Sequence, residues 1–559
     1  MMPPLDTRKR PKEWGDAPLN SVTDPDLVRS EQSVRSQPHN RTLVLSAMAL
    51  LGSLLWDTLA ALILLIVLSL WYATQNFDFF KKRGIKYVQP LPFVGNFWSV
   101  VVGRDSMLTA VQPLYEEMKS SKFGGVFIMR SPTLMVCDPE LAKMVLTKDF
   151  SSIHDRGIPY DEENDPLSAN LVNIPGARWK NLRSKLTPTF TSGKLKQMFP
   201  LMKECSNNLS KILSEKAENG EILDLRVYLI RYCTDVIGTC AFGIECNSLV
   251  NPNSEFYDMS RKVFQPSILA SIRFALFANS KLLIKLLPFK WLFPGVHRFF
   301  IDLMKETVHY RKTNSVERND FVQLMMQLQK GDEAKTPETH PEEVLFTDNI
   351  MAAQAFVFFV AGLDSIANTV GFALYHMCLD TRIQEDLADE IVSVLRNHEG
   401  QFTYEALKDM KMVDRVISEA LRMYTPGGVL FREVTSPKYT IPGTDISLGK
   451  GMKILIPVQG FHYDPDIYPE PTKFDPDRFT DEEVAKRHPY AYMPFGEGPR
   501  VCIANRFAML ESKLCLASLI KDFKFSVCSK TQIPIQLEKR SFGPTPKGGF
   551  YFKMEPRRL

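Results

Sequence analysis

From Leu43 to Ala73 the chain carries one charged residue, Asp57, and its stretch Thr58–Tyr72 (TLAALILLIVLSLWY) carries none. No other feature restricts the chain as much, because about 20 apolar residues are what a single α-helix needs to cross a bilayer. Leu54–Ala73 meets that length as one span, with Trp56 and Asp57 at one interface and Trp71 and Tyr72 at the other. Asp57 fixes the register: a carboxylate at mid-bilayer costs on the order of 2.5–3.5 kcal/mol, and sliding it to the helix end removes most of that. A cleaved signal peptide is the competing reading, but the run is longer than an h-region and a long polar stretch precedes it. Lys81, Lys82, Arg83 and Lys86 follow the span, against Arg29, Arg35 and Arg41 before it, which places the C-terminal body in the cytosol. No later stretch of 18 uncharged apolar residues occurs, so the chain is expected to be single-pass.

The span divides the rest. Residues 1–42 hold seven basic and six acidic side chains with few large apolar ones, the composition of a disordered extension. Its acids argue against a mitochondrial presequence. Residues 43–73 form the anchor, and residues 74–96 a linker whose Tyr87–Asn96 (YVQPLPFVGN) is stiffened by Pro90 and Pro92 and ends in a turn at Gly95.

Residues 97–559 form the body. Its residues 125–137 and 428–456 read as short strands separated by Gly/Pro turns. Helical signals cover Pro139–Thr147, Ala177–Phe190, Leu195–Lys216, Asp224–Cys240, Thr347–Leu379, Thr381–Asn397, Tyr404–Tyr424 and Asn505–Phe523. The fold class is therefore mostly α with a minor β portion. Within residues 262–300, Leu269–Phe293 interleaves Arg273, Lys281, Lys285 and Lys290 with Leu, Phe and Trp. That pattern suits a surface helix in the lipid headgroup layer, and equally a core pair with snorkelling lysines.

Charge and cysteine content exclude several function classes. The chain carries 68 Lys+Arg against 64 Asp+Glu, a formal +4, with no block of five or six like charges, which argues against nucleic-acid binding. Nine cysteines with no CxxC pair favour neither a disulfide framework nor a zinc site.

One cysteine differs by context. In Phe495-Gly-Glu-Gly-Pro-Arg500-Val-Cys502-Ile-Ala-Asn-Arg506-Phe-Ala, Cys502 sits in a Gly-rich loop directly before a helix, where backbone N–H groups and the helix dipole stabilise a thiolate. Gly496 and Gly498 let the backbone approach a planar group, and Arg500 offers a fixed cation for an acid group. The other eight cysteines read as small buried hydrophobes.

This stretch resembles the heme-binding signature of the cytochrome P450 family, in which the Cys thiolate is the proximal iron ligand. It departs from the usual pattern at Ala504, where relatives most often have Gly. Other landmarks follow in the family's order over residues 85–555. Glu419-Ala-Leu-Arg422, with Arg478 of Phe474-Asp-Pro-Asp-Arg478-Phe, resembles the family's buried Glu-Arg-Arg lock. Phe358-Phe-Val-Ala-Gly362-Leu-Asp364-Ser365 resembles its distal helix, where Gly362 opens a groove for dioxygen and Asp364 and Ser365 are the acid–alcohol pair that relays protons. Relatives usually carry Thr at the position of Ser365, and the lost methyl leaves the hydroxyl rotamer freer. Back-bonding of Ser365 to its own helix is the competing reading. Trp179 and Arg183 resemble the helix that contacts the heme propionates, and Arg156 and Arg432 match two further propionate-pairing positions beside Arg500. Gly427 and Gly428 stand where relatives commonly have a Pro-Pro turn. They either enlarge one wall of the substrate cavity or are an ordinary turn adaptation.

The resemblance implies a P450 fold with a single N-terminal transmembrane helix, most like insect members of the microsomal xenobiotic-oxidising branch. It implies heme b (iron protoporphyrin IX) and a monooxygenase that inserts one oxygen atom of O2 into an apolar small molecule, xenobiotic or endogenous and lipid-like. No GxGxxG opens a βαβ unit, so electrons are expected from an NADPH-hemoprotein reductase, with cytochrome b5 as a further candidate donor. The implied setting is the endoplasmic reticulum membrane, with the catalytic body cytosolic. Two other functions compete: a heme-thiolate isomerase or dehydratase of peroxides, which typically lacks the acid–alcohol pair, and a membrane-anchored heme binder without turnover.

Overall fold

A computed structural model describes residues 38–251, 253–263, 294–336, 338–541 and 543–557, and two units divide the chain, one ending at Ser69 and the other running from Leu70 to Leu559. Most of the apolar basic stretch read within 262–300 lies outside the described residues.

The helix Pro38–Thr74, most of which belongs to the first unit, begins ahead of the expected anchor, with Pro38 at its first position, where a missing N–H costs nothing. Its 37 residues correspond to about 55 Å at 1.5 Å per residue, longer than a bilayer's hydrocarbon core. From Leu43 to Thr74 it is apolar enough to span a membrane, and its Leu, Ile and Trp side chains are exposed.

In the second unit, helices surround a small sheet portion. The strands are β1 Phe123–Ile128, β2 Ser131–Val136, β3 Leu430–Glu433, β4 Lys438–Thr440, β5 Ser447–Gly449, β6 Lys453–Ile456, β7 Phe523–Ser526 and β8 Lys553–Pro556. They make one four-stranded sheet in the order β1-β2-β6-β3, in which only β2 and β6 are parallel, and two hairpins, β4-β5 and β7-β8. The sheet carries its own apolar core. Phe80 and Ile85 lie in it, so residues of the expected linker pack with the body, Phe80 edge-on to Phe127 at 5.3 Å.

The long helix Asp348–Leu379 runs through the larger, helical core, and Thr347 caps it by accepting the Ile350 N–H at 3.3 Å. It too is long and apolar enough to span a membrane, yet most of its apolar window is buried inside the body, which makes it a core helix. The helical signal over Tyr404–Tyr424 resolves into two helices, Tyr404–Asp409 and Lys411–Met423. The reason is tertiary: the Glu390 carboxylate reaches over to accept the N–H groups of Met412 (2.7 Å) and Val413 (3.2 Å), starting a new helix there. The strand signal over 125–137 likewise resolves into β1 and β2, which turn at Met129 with φ of 55°.

Candidate functional site

Cys502 lies where the chain leaves an irregular loop and enters the helix Asn505–Asp522. Its own N–H donates to the Phe495 carbonyl at 3.0 Å, and Gly496 N–H to Met493 O at 3.0 Å, so two turns fold the loop back on itself. Both glycines adopt left-handed backbone, φ of 73° and 76°, and a Cβ on Gly498 would meet the Leu146 carbonyl at 2.0 Å. Burial pushes the Cys502 thiol up, against the pull of the Ala504 N–H and of Arg183 and Arg156.

An apolar cavity of about 280 Å³ is lined by Gly362 and Ser365 of the long helix and by Cys502, Phe495 and Gly496 of the loop. The cavity continues between Phe190, Phe321 and Phe358, whose rings pack at 4.6–6.0 Å. Ser365 donates to the Ala361 carbonyl at 2.6 Å, the back-bonded arrangement. Asp364 points elsewhere: its carboxylate pairs with Arg226 and accepts from Thr545 Oγ1 at 3.3 Å, while Arg226 Nε donates to Asn368 Oδ1 at 3.0 Å. The structure thus brings the alcohol to the cavity and turns the acid toward a neighbouring helix.

On another side of the Cys502 loop the structure gathers all four expected guanidinium groups. Arg500 is buried with its guanidinium 4.1 Å above the ring of Trp179, and it donates to Asp155 Oδ1 at 3.2 Å and to Ile174 O at 3.3 Å. Arg183 Nη1 donates to Val501 O at 2.8 Å, and Arg156 donates to Val172 O at 3.3 Å and to Arg500 O at 3.2 Å. Arg432 donates to Phe431 O at 2.8 Å. Burial, and then repulsion among the guanidinium groups, lowers Arg500 and Arg432 to about 9 and Arg156 to about 10. Arg500 Nε and Nη1 and Arg432 Nε are buried without a partner. Unsatisfied cationic donors of this kind call for an anion. Sequence reasoning passed over Asp155, although it adjoins Arg156, and over Arg226, which has no local signal at all.

A buried ion-paired trio ties down an earlier segment of the chain. Arg422 forms a two-pronged pair with Glu419, 2.7 and 2.8 Å, both fully buried, and its remaining donors take His462 O (2.7 Å) and Lys473 O (3.3 Å). Arg478 Nε comes within 3.5 Å of Glu419, completing the expected trio. Burial raises the Glu419 carboxyl, opposed by Arg422. Removing one partner from a buried pair costs about 3–5 kcal/mol, so the trio fixes the segment 462–475 that its members bond.

Residues 86–553 match the family model described as cytochrome P450. Cytochrome P450 6A1 of Musca domestica is 39% identical over 504 residues, covering 89% of this chain and 97% of that protein. Cytochrome P450 9e2 of Blattella germanica is 38% identical over 525 residues, 90% of this chain and 98% of that protein. Cytochrome P450 6a8 of Drosophila melanogaster is 37% identical over 498 residues, 89% and 98%.

Proposed function

Since the chain belongs to the cytochrome P450 family, and is a heme monooxygenase on that ground, we propose that it oxidises apolar small molecules, foreign compounds or endogenous lipid-like ones, using heme b and electrons from an NADPH-hemoprotein reductase. Cytochrome b5 is a second candidate donor. The proposed setting is the endoplasmic reticulum membrane, with Leu54–Ala73 as the single span and the body in the cytosol.

One observation carries this reading: Cys502, Gly362 and Ser365 line one and the same apolar cavity. The residues fit heme. Cys502 would hold the iron, and the buried unpaired donors of Arg500 and Arg432, with Arg156, Arg183 and Trp179, would hold the two propionates. Bound there, heme supplies reductive activation of dioxygen, with the thiolate pushing electron density to favour O–O cleavage. The chain's own residues do the rest. Phe190, Phe321 and Phe358 exclude water and favour an apolar substrate. Ser365 holds a proton-bearing hydroxyl at the cavity wall, and Asp364, one residue away, can receive a proton from solvent when its pair with Arg226 opens.

The test is the visible spectrum of the detergent-solubilised protein, reduced and exposed to carbon monoxide, beside Cys502→Ala. A red-shifted Soret band in the wild type alone is expected. A band at the position of imidazole-ligated heme, or no heme in the wild type, overturns the assignment. NADPH-dependent loss of an apolar substrate in the presence of the reductase tests turnover.

A further inference from the structure

The four guanidinium groups come from four separate stretches of chain, and Asp155, which does not line the cavity, adjoins or bonds a residue of each stretch. Asp155 precedes Arg156. Its Oδ1 accepts from Arg500 Nη2 at 3.2 Å and from the N–H of Gly176 at 2.8 Å, and Gly176 opens the helix Gly176–Leu186 that carries Trp179 and Arg183. Its backbone carbonyl accepts from Glu433 N–H at 2.8 Å, and Glu433 follows Arg432 on β3. His154 Nδ1 lies 2.8 Å from the same Oδ1 and orients the carboxylate from outside. Without that oxygen, Arg500 Nη2 would keep only the Ile174 carbonyl at 3.3 Å, beside Nε and Nη1 that are already buried without a partner.

Asp155 also sets a carboxylate against the four positive charges of Arg156, Arg183, Arg432 and Arg500. We propose that Asp155 is a positioning residue of the heme site: it sets Arg500 and the helix of Trp179 and Arg183 in place for the propionates, and its negative charge makes the ferrous state less favourable than the guanidinium cluster alone would. The inference rests on the reading that Cys502 and these arginines take heme.

Three variants of the full-length heme protein separate position from charge. Asp155→Ala removes both, and heme transfer to excess apomyoglobin is expected to run about tenfold faster than from the wild type, the scale of one lost charge-assisted hydrogen bond. Asp155→Asn keeps an acceptor oxygen and loses the charge, so at a fixed applied potential its ferrous-to-ferric ratio is expected to rise at least about twofold. Asp155→Glu keeps the charge on a longer arm: its ferrous-to-ferric ratio stays at the wild-type value while its heme loss speeds up. A purely structural role would not move the ratio with charge alone. An unchanged ratio in Asp155→Asn, or wild-type heme retention in Asp155→Ala, overturns the proposal; if the alanine variant does not accumulate, the asparagine and glutamate variants decide it. A wild-type chain lacking the red-shifted carbon monoxide band fails the functional reading itself and this proposal with it, whereas a wild-type band with indifferent Asp155 variants fails only the latter.

Discussion

Ser365 makes the sharpest demand on a single side chain. Its hydroxyl is bonded to Ala361 O at 2.6 Å and borders the cavity, and it lacks the methyl with which a threonine fixes its rotamer. Ser365→Ala should keep NADPH consumption while product per NADPH falls several-fold and released peroxide rises, and Ser365→Thr should lower peroxide below the wild type. Equal partition in all three proteins would mean that the hydroxyl only back-bonds its helix. Glu511 offers a different test. It is fully buried on the helix Asn505–Asp522, beside Cys233, and burial raises its carboxyl well above the usual 4.5. The unfolded chain releases that proton above about pH 4.3 while the folded chain keeps it, so stability falls as pH rises through the window that opens there. Glu511→Gln should remove this slope: between about pH 5 and pH 7.5 the melting temperature of the heme protein should fall less in the variant than in the wild type. Parallel pH dependences would show that Glu511 is ionised in the native protein.

At the scale of elements, the turn after the helix Lys411–Met423 settles how two adjacent glycines differ. A Cβ on Gly428 would meet Leu108 Cδ2 at 2.1 Å, whereas one on Gly427, which borders the cavity, would meet only Pro494 O at 3.5 Å. Gly428 is thus a packing requirement and Gly427 is open volume in the cavity wall. Gly428→Ala should cost about 1–3 kcal/mol by overpacking, relieved when Leu108→Ala is added, as read by thermal unfolding. Gly427→Val should fold, and in spectral titrations should weaken 4-phenylimidazole binding far more than imidazole binding; equal losses would place Gly427 away from the ligand.

The same scale shows what could be read in advance. The long helix was legible because its apolar run and its Thr347 cap are local, and Cys502 because its glycines and following helix are contiguous. The break at Met410 was not, because the cap comes from Glu390 on another helix. Nor were the partners Arg226 and Thr545 of Asp364, which lie 138 and 181 residues away in sequence. The hairpin β7-β8 escaped for a similar reason, its strands being joined by a long irregular stretch.

For the whole molecule, the unit from Leu70 to Leu559 contains both apolar cores and every residue of the candidate site. A chain beginning at Leu70 should therefore keep the full reduced carbon monoxide spectrum and lose carbonate-resistant pelleting with membranes. If its spectrum collapses, the helix Pro38–Thr74 does more than anchor.

The wiring of the guanidinium cluster also bears on time. Arg183 bonds Val501 across 318 residues of chain, and Arg500 bonds Asp155 across 345. At a synthesis rate of 5–20 residues per second, the first half of the cluster leaves the ribosome roughly 15 to 70 seconds before the second half exists. Until then Asp155, Arg156, Trp179 and Arg183 have neither Arg500 nor Cys502 to meet, so the heme site proposed above is incomplete. Cofactor capture is accordingly one of the last events in the life of the nascent chain, and it follows emergence of the anchor segment by hundreds of residues' worth of translation.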